Sequence, residues 1–518
     1  MDMALIYLLS LIVGLLVWLL YQKWSSYRKC PLPPGPSGVR VFSEIIHALQ
    51  SQRVHLSAVK WAKEHGDMFS VNAFGKTMVF LNTSELVREV MNGADYKAVT
   101  NDRPETFFGK YVANNYSNIT EFVTYDSTLV YFRKMFHNSL KLYGDGVHSF
   151  EALALEELQN VAHILRTSSG NVDMETVFSE SLLRVIHILI TGDSADRETN
   201  IIDDMKNYNL WGNRLNGFDV QTVLATIPVL RYFPIKHGRI WQNAVKYRDA
   251  VAQVFVKDRK KRDTPGEDRG GVVSVLLEEQ RRKEEEGEQQ QQQQQAGAQG
   301  LTDDQISAIT LDMSAAAYLT SKGALVGMFL SFLHYPHIQE RIYNEIEAKI
   351  GTRNPVIEDR SSLPYTEATI LELLRYISHA VLGVPHSCRK DIEVRGFTIP
   401  KNAMVVSNLW YIHHDEAVWG DPWKFRPERF LGDDGTLLGG EHPLRRNLLP
   451  FGTGRRQCPG ETLARSRLFL YVTFLLQRFV FLPPEGETLP PFDPSLWNPG
   501  IIIQPLKFTC RVASRLQK

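Results

Sequence analysis

The chain has 518 residues, 43% of them hydrophobic, and it balances 58 lysines and arginines against 58 aspartates and glutamates. There is enough apolar material for a large core, and the zero formal charge leaves no electrostatic footprint for nucleic acid. Four scattered cysteines, Cys30, Cys388, Cys458 and Cys510, suit a reducing compartment and exclude a disulfide-stapled secreted fold.

Ala4 to Tyr21 is apolar except at Ser10 and Gly14. A helix of that length nearly crosses a bilayer core, so residues 1–24 read as a membrane anchor. Lys23, Arg28 and Lys29 come next, which places the C-terminal side in the cytosol. A cleaved signal peptide is the alternative. Asp2 and the lack of a basic residue before the apolar run count against it. The stretch Pro31-Leu-Pro-Pro-Gly-Pro-Ser-Gly38 reads as a semi-rigid, extended spacer within 25–40. No linker divides the remainder of the chain, so residues 41–518 are expected to form one large domain.

Residues 68–74 and 77–81, joined through Gly75-Lys76, alternate as a β-hairpin. Helices are predicted over 84–91, 125–140, 150–165, 174–190 and 243–261, the last basic towards its end. Residues 281–300 are low in complexity, with seven glutamines from Gln289 to Gln295, and read as a disordered surface loop. Thr302-Asp-Asp-Gln305 is a capping box that opens a long helix ending before Pro336. Further helices are predicted over 337–350 and 365–377. The latter carries Glu372 and Arg375 on one face. Residues 392–399 and 404–409 are strand-like. Helices dominate, with small sheets to one side, so the fold class is mainly α with minor β (α+β).

The run Phe451-Gly-Thr-Gly-Arg-Arg-Gln-Cys458-Pro-Gly460 places a cysteine in a glycine-rich turn just before a long apolar helix over 463–479. Pro459 suits a first helical position and Glu461 a first turn. A helix N-terminus is expected to lower the thiol pKa. Such a thiolate can be a nucleophile, a redox group or a metal ligand. The remaining cysteines are too distant in sequence to suggest a zinc set or a disulfide, and a buried core cysteine is the plain alternative.

The complete pattern Phe-x-x-Gly-x-Arg-x-Cys-x-Gly resembles the haem-binding signature of the cytochrome P450 family. The resemblance implies that family's fold and haem b, with Cys458 as the axial iron ligand. It also implies Arg456 paired with a propionate and Phe451 packed beside the sulfur. Val384-Pro385-His386, followed by Asp391, resembles the segment whose histidine meets a propionate in animal microsomal members. Their Trp-x-x-x-Arg helix corresponds to Leu129 and Arg133: the arginine is kept and the tryptophan is not. Glu372, Arg375 and, within Phe425-Arg-Pro-Glu-Arg-Phe430, Arg429 match a buried structural triad.

On the long helix, Ala316-Ala-Tyr-Leu-Thr-Ser321 aligns with the family's oxygen-handling motif. Thr320 matches its catalytic threonine, Leu319 stands where an acid is usual, and Ala317 replaces a glycine. Asp312 lies about two turns earlier and cannot simply substitute. Three accounts stay open: water works with Thr320 alone, another loop supplies a group, or no dioxygen is activated. A threonine bonding its own helix is the plain alternative.

By resemblance, the protein is a monooxygenase anchored by one span in the endoplasmic reticulum membrane, with its catalytic domain facing the cytosol. Its substrate would be a hydrophobic steroid, lipid or foreign compound. NADPH electrons would come through a flavoprotein reductase, with cytochrome b5 as a second partner. Arg133, Lys134, Arg445, Arg446 and Arg455 would form the docking face. The pocket would be lined from 103–125, 210–233, 316–320 and 499–503. A lipid hydroperoxide isomerase or dehydratase is the second reading, motivated by Leu319. A membrane haem sensor or carrier is the third.

Overall fold

The computed structural model describes residues 30–37, 39–73, 75–141, 147–194, 200–262, 270–292 and 301–515. The anchor expected over 1–24 lies outside them.

Helices α1 (Val39–Ser51) and α2 (Val54–His65) lead into strands β1 (Met68–Ala73) and β2 (Lys76–Leu81). Helix α3 (Ser84–Asn92) comes next, capped by the Thr83 side chain. Helices α4 (Ser127–Lys141), α5 (Val147–Thr167), α6 (Met174–Thr191), α7 (Ile201–Leu215), α8 (Phe218–Thr226) and α9 (Lys236–Ala252) form most of the next layer. Helix α9 begins earlier than the sequence suggests, and a π-helical stretch, Gln253–Asp258, carries it into Arg259–Arg262.

The segment expected to be a disordered loop is helical over much of its length. Helix α10 spans Val272–Gln292. Arg282 pairs with Glu279 and Glu286, one turn to either side, and Lys283 pairs with Glu286. Tyr131 donates to Glu279 from α4 at 2.6 Å. Glutamate, lysine, arginine and glutamine all favour helix, so side-chain pairing substitutes for apolar burial.

The centre of the molecule is α11, Asp303–His334. Its capping box is formed: Thr302 Oγ1 accepts from the Gln305 N–H, and Gln305 Oε1 accepts from the Thr302 N–H at 2.9 Å. Its 32 residues span about 48 Å. It is long and apolar enough to cross a membrane, yet it is mostly buried in the core. It packs against α6, α13 (Pro364–Ile377) and α14 (Glu461–Arg478), while α12 (Pro336–Lys349) packs against α14.

Strands β3 (His386–Ser387) and β6 (Met404–Ser407) join the first hairpin in a sheet ordered β1-β2-β6-β3, with β2 and β6 parallel. Strands β4 (Ile392–Val394) and β5 (Phe397–Ile399) form a separate hairpin, and β7 (Phe479–Leu482) and β8 (Arg511–Ser514) pair antiparallel in a second two-stranded sheet. The proline-rich stretch is not a free spacer over 30–37. The Pro34 carbonyl accepts from the Ser70 N–H at 2.8 Å, the Pro33 carbonyl from Ser70 Oγ at 2.7 Å and the Pro31 carbonyl from the Thr398 N–H at 2.8 Å. Prolines supply acceptors without unsatisfied donors, so the segment lies along strands β1 and β5.

The expected triad is formed on α13. Arg375 donates from Nε and Nη2 to the two Glu372 oxygens, each at 2.8 Å, and Arg429 Nε reaches Oε1 at 3.3 Å. All three are buried. The Arg426 N–H adds a further donor to Glu372 at 2.9 Å. A fully coordinated buried carboxylate is tolerated because its lone pairs are satisfied from several sides.

Candidate active site

The cysteine loop is built by two glycines and one backbone bond. Gly452 and Gly454 have φ of 69° and 83°, which favour glycine. A Cβ on Gly454 would meet Asn92 Oδ1 at 2.4 Å, so α3 also requires a glycine there. The Cys458 N–H donates to the Phe451 carbonyl at 2.9 Å and closes the loop. Phe451 is partly buried against the core, with the Arg465 guanidinium 5.2 Å from its ring centroid. Cys458 is exposed overall, whereas Cys388 and Cys510 are buried.

The thiol does not behave as the helix terminus alone suggests. Its pKa is raised: desolvation of the sulfur is the largest cause, and Glu461 and Asp312 push the same way. The Gly460 N–H and Arg133 oppose the rise without overcoming it. The residue is exposed as a whole, but protein atoms around the sulfur desolvate it, and that outweighs the dipole.

Beside this loop is a cluster of three arginines, of which Arg103 and Arg456 are buried and Arg133 is half-buried. Arg456 Nε donates to the Asn101 carbonyl at 2.8 Å and its Nη2 to the Phe122 carbonyl at 2.7 Å. Arg133 Nη2 donates to the Gln457 carbonyl at 2.8 Å, which ties α4 to the cysteine loop. Arg103 Nη1 donates to the carbonyls of Val384 and Pro385, and its Nε is buried without a partner among the described residues. Burial lowers Arg103 to about 9, and Arg456 is the next cause. Burial likewise lowers Arg456 to about 10, with Arg133 adding to the fall. Leu129, one turn before Arg133, is buried.

His386 sits beside these arginines. Its Nδ1 faces the Thr100 carbonyl at 2.8 Å, so Nδ1 carries the proton. Burial, Arg103 and Arg456 hold its pKa well below 6.5. The imidazole is neutral and its Nε2 is an acceptor. A carboxylate at Nε2 needs the imidazolium, which that carboxylate would itself stabilise. Arg103 belongs to this cluster although its local sequence does not distinguish it from a surface arginine; only the fold places it beside Arg456 and His386.

Helix α11 crosses this region. In its middle, burial is broken at Asp312, Ala315, Ala316, Leu319 and Thr320, which recur at helical spacing as one stripe, and beside it at Ala317 and at Lys322, which pairs with Glu175. The side chains on the stripe are mostly small. Thr320 Oγ1 donates to the Ala316 carbonyl at 2.7 Å, so its proton is engaged by its own helix. The Asp312 carboxylate accepts from the Thr120 N–H at 2.9 Å and tethers the 117–125 loop to α11. Desolvation raises its pKa to about 6, and Glu121 adds to the rise. The same loop accepts from Arg456 at the Phe122 carbonyl, so residues 117–125 join α11 to the cysteine loop.

Of the docking-face residues, Lys134 and Arg455 are exposed, Arg445 donates to the Leu438 carbonyl at 2.7 Å, and Arg446 pairs with Glu441. No group of three or more metal-ligating side chains occurs among the described residues.

The chain matches known proteins along most of its length. The family model described as Cytochrome P450 matches residues 33–512. A "Steroid 17-alpha-hydroxylase/17,20 lyase" of Ictalurus punctatus is 28% identical over 489 residues, covering 94% of this chain and 91% of its own length. "Cytochrome P450 2D27" of Mesocricetus auratus is 28% identical, with 92% of each chain covered. The solved structure "Zebra fish cytochrome P450 another structure with Abiraterone" superposes with a TM-score of 0.70 at 26% identity, covering 89% of this chain and 100% of that one. The chain belongs to the cytochrome P450 family, with its mainly helical fold and its monooxygenase class of oxidoreductase.

Proposed function

We propose that the protein is a membrane-anchored haem-thiolate monooxygenase that inserts one oxygen atom of dioxygen into a hydrophobic small molecule. A steroid is the leading substrate class, because relatives along the whole chain are named steroid hydroxylases. The observation that carries the reading is that residues 100–122 bond at once to His386, to Arg456 of the cysteine loop and to Asp312 on the open stripe of α11, with Arg103 bonded to the carbonyls just before His386.

The residues fit a haem. Cys458 would hold the iron; coordination to a metal deprotonates a thiol outright and would overcome the raised pKa. Arg103, Arg133, Arg456 and His386 would meet the two propionates. The unpartnered Arg103 Nε offers a donor for one of them. Ala315 and Ala316 would leave room for a flat ring. When bound, haem supplies reductive activation of dioxygen at its iron. The chain's own task is to orient substrate, exclude water and deliver protons. Thr320 offers its hydroxyl oxygen as an acceptor while its proton stays on Ala316. Asp312 titrates near neutrality but lies eight residues, about 12 Å, along the helix.

Electrons are proposed to come from NADPH through a membrane flavoprotein reductase docked over Lys134 and Arg455, with cytochrome b5 on the same face. Exposed apolar side chains gather at Ile227, Val229, Tyr232, Phe233 and Ile235. Ile46 on α1 is exposed too, and α1 packs against α8 just before this stretch. That patch suits contact with lipid beside the proposed anchor. The test is turnover of a steroid panel in reductase-containing vesicles: NADPH-dependent oxygenated product supports the proposal, and NADPH oxidation with no product from any steroid removes the substrate class.

The second reading, a lipid hydroperoxide isomerase, is favoured by Leu319 together with the engaged Thr320 hydroxyl. Conversion of a fatty-acid hydroperoxide without reductase would establish it; inert hydroperoxide would exclude it.

A further inference from the structure

The turn of α11 that carries Leu319 and Thr320 is gripped from outside by two side chains. From α14, Arg467 reaches across and donates from Nη1 to the Ala317 carbonyl at 3.2 Å and to Ser321 Oγ at 3.0 Å. From the C-terminal loop, Gln504 Nε2 donates to the Leu319 carbonyl at 3.1 Å. Gln504 gets this close only because residue 323 is glycine: a Cβ there would stand 2.9 Å from Nε2. Together with Thr320 Oγ1 on Ala316, three carbonyls within four residues accept side-chain donors.

Arg467 is an unusual residue to bury. It is 1% exposed, and burial lowers its pKa only to about 10, so it stays charged at neutral pH. No ion pair among the described residues includes it. Its Nε and Nη2 are buried without partners, and Phe150 covers it with its ring centroid 5.6 Å away. The nearest titratable group acting on it is Tyr471, whose hydroxyl is engaged by Ser181 at 2.7 Å. An uncompensated buried cation is costly, and a leucine or methionine would fill the same space more cheaply. Its two contacts both fall on the turn that faces the site. Two unsatisfied donors in a polar recess also suit a buried water.

We propose that Arg467 and Gln504 are positioning residues: they fix the Ala317–Ser321 turn in the geometry that presents Thr320 and the Leu319 backbone to the distal face. The inference rests on the haem-thiolate reading and adds to it. With no acid at 319, the turn has no carboxylate to order it from the site side, and these two donors order it from behind. A guanidinium on the Ala317 carbonyl also polarises that peptide, so charge on Arg467 is sensed on the open stripe.

The test uses full-length protein in vesicles with reductase, with carbon monoxide as the probe, so that no substrate need be known. Arg467→Met is expected to keep the thiolate-type absorbance of the reduced carbon-monoxide form and to shift and broaden its C–O stretching band. Peroxide released per NADPH is expected to rise about two- to tenfold, the range set by losing a buried hydrogen bond. Arg467→Lys should return both readouts partway, and Gln504→Leu should move them in the same direction. If Arg467→Met does not fold, Gln504→Leu decides alone. Wild-type band and peroxide yield in the folded variants overturn the proposal and leave the haem-thiolate reading standing. A wild-type protein without the thiolate absorbance overturns that reading instead.

Discussion

The Leu449 N–H donates to His413 Nε2 at 3.0 Å, a direct link between the buried triad and the cysteine loop. His413 Nδ1 therefore carries the proton and donates to Ser378 Oγ at 2.8 Å, while the His413 carbonyl accepts from Arg375 at 2.9 Å. Glu372, Arg375, His413 and Leu449 form one continuous path that ends two residues before Phe451. His413→Leu is expected to cost about 1–3 kcal/mol through two orphaned polar groups. It should also lower the haem-to-protein ratio of purified enzyme. Wild-type haem content with wild-type melting temperature would disprove the link.

Glu372→Gln should be more severe. It leaves two buried guanidiniums facing a neutral amide, a loss of about 3–5 kcal/mol. The expected result is little or no folded holoprotein, read from spectral yield and thermal melting. By contrast, Arg341→Ala removes an exposed pair with Glu428 and a stacking contact 3.8 Å from the Tyr365 ring centroid, and should shift stability by about 1 kcal/mol.

Buried histidines make stability depend on pH with a definite sign. Burial lowers His55 and His379 to about 4 and His414 to about 3, and holds His386 and His413 well below 6.5. The unfolded chain takes up their protons near 6.5 and the folded protein does not. Stability is thus complete above that value and falls as pH drops below it, by roughly 1.4 kcal/mol per unit for each histidine. Asp312 runs the other way: its folded pKa of about 6 lies above the ordinary 3.8, so its contribution is lost as pH rises between the two. Burial raises Glu121, Glu157 and Asp204 as well, so four carboxylates oppose the five histidines, and the melting temperature should still fall from pH 6.5 to 4.5. A flat profile would contradict the neutral assignments.

Leu319→Glu places an acid beside Thr320. If proton delivery limits the native enzyme, product formed per NADPH should rise by about two- to tenfold, the range spanned by positioned general acids of modest efficiency. Unchanged coupling would mean that water ordered on the turn already performs the task.

Arg103→Met should weaken haem retention more than Lys134→Ala. The first removes a buried donor beside Arg456 and His386, whereas the second removes an exposed charge. The rate of haem transfer to apomyoglobin measures both. Equal rates would remove Arg103 from the site.

Much of this architecture is legible in the chain itself. The hairpin at 68–81 and the capping box at Thr302 depend on local pattern, the Glu372 triad on the family resemblance, and each is present. The cysteine loop is legible for the same reason. Arg103 and Arg467 are not, because nothing in their neighbourhoods distinguishes a buried arginine from a solvated one. Their significance comes from partners hundreds of residues away. The thiol pKa runs against expectation because a helix terminus is visible in sequence and desolvation is not. Residues 281–292 read as disordered because composition reports missing hydrophobes; it does not report that charges at helical spacing pair.

The central claim is that Cys458 holds the iron of a haem. The most direct measurement is the reduced carbon-monoxide difference spectrum of the full-length protein and of Cys458→Ser, with haem content measured alongside. The account predicts a thiolate-type band in the wild type and its loss in the variant. A variant that retains the band, or a wild-type protein that never shows it, would contradict the account.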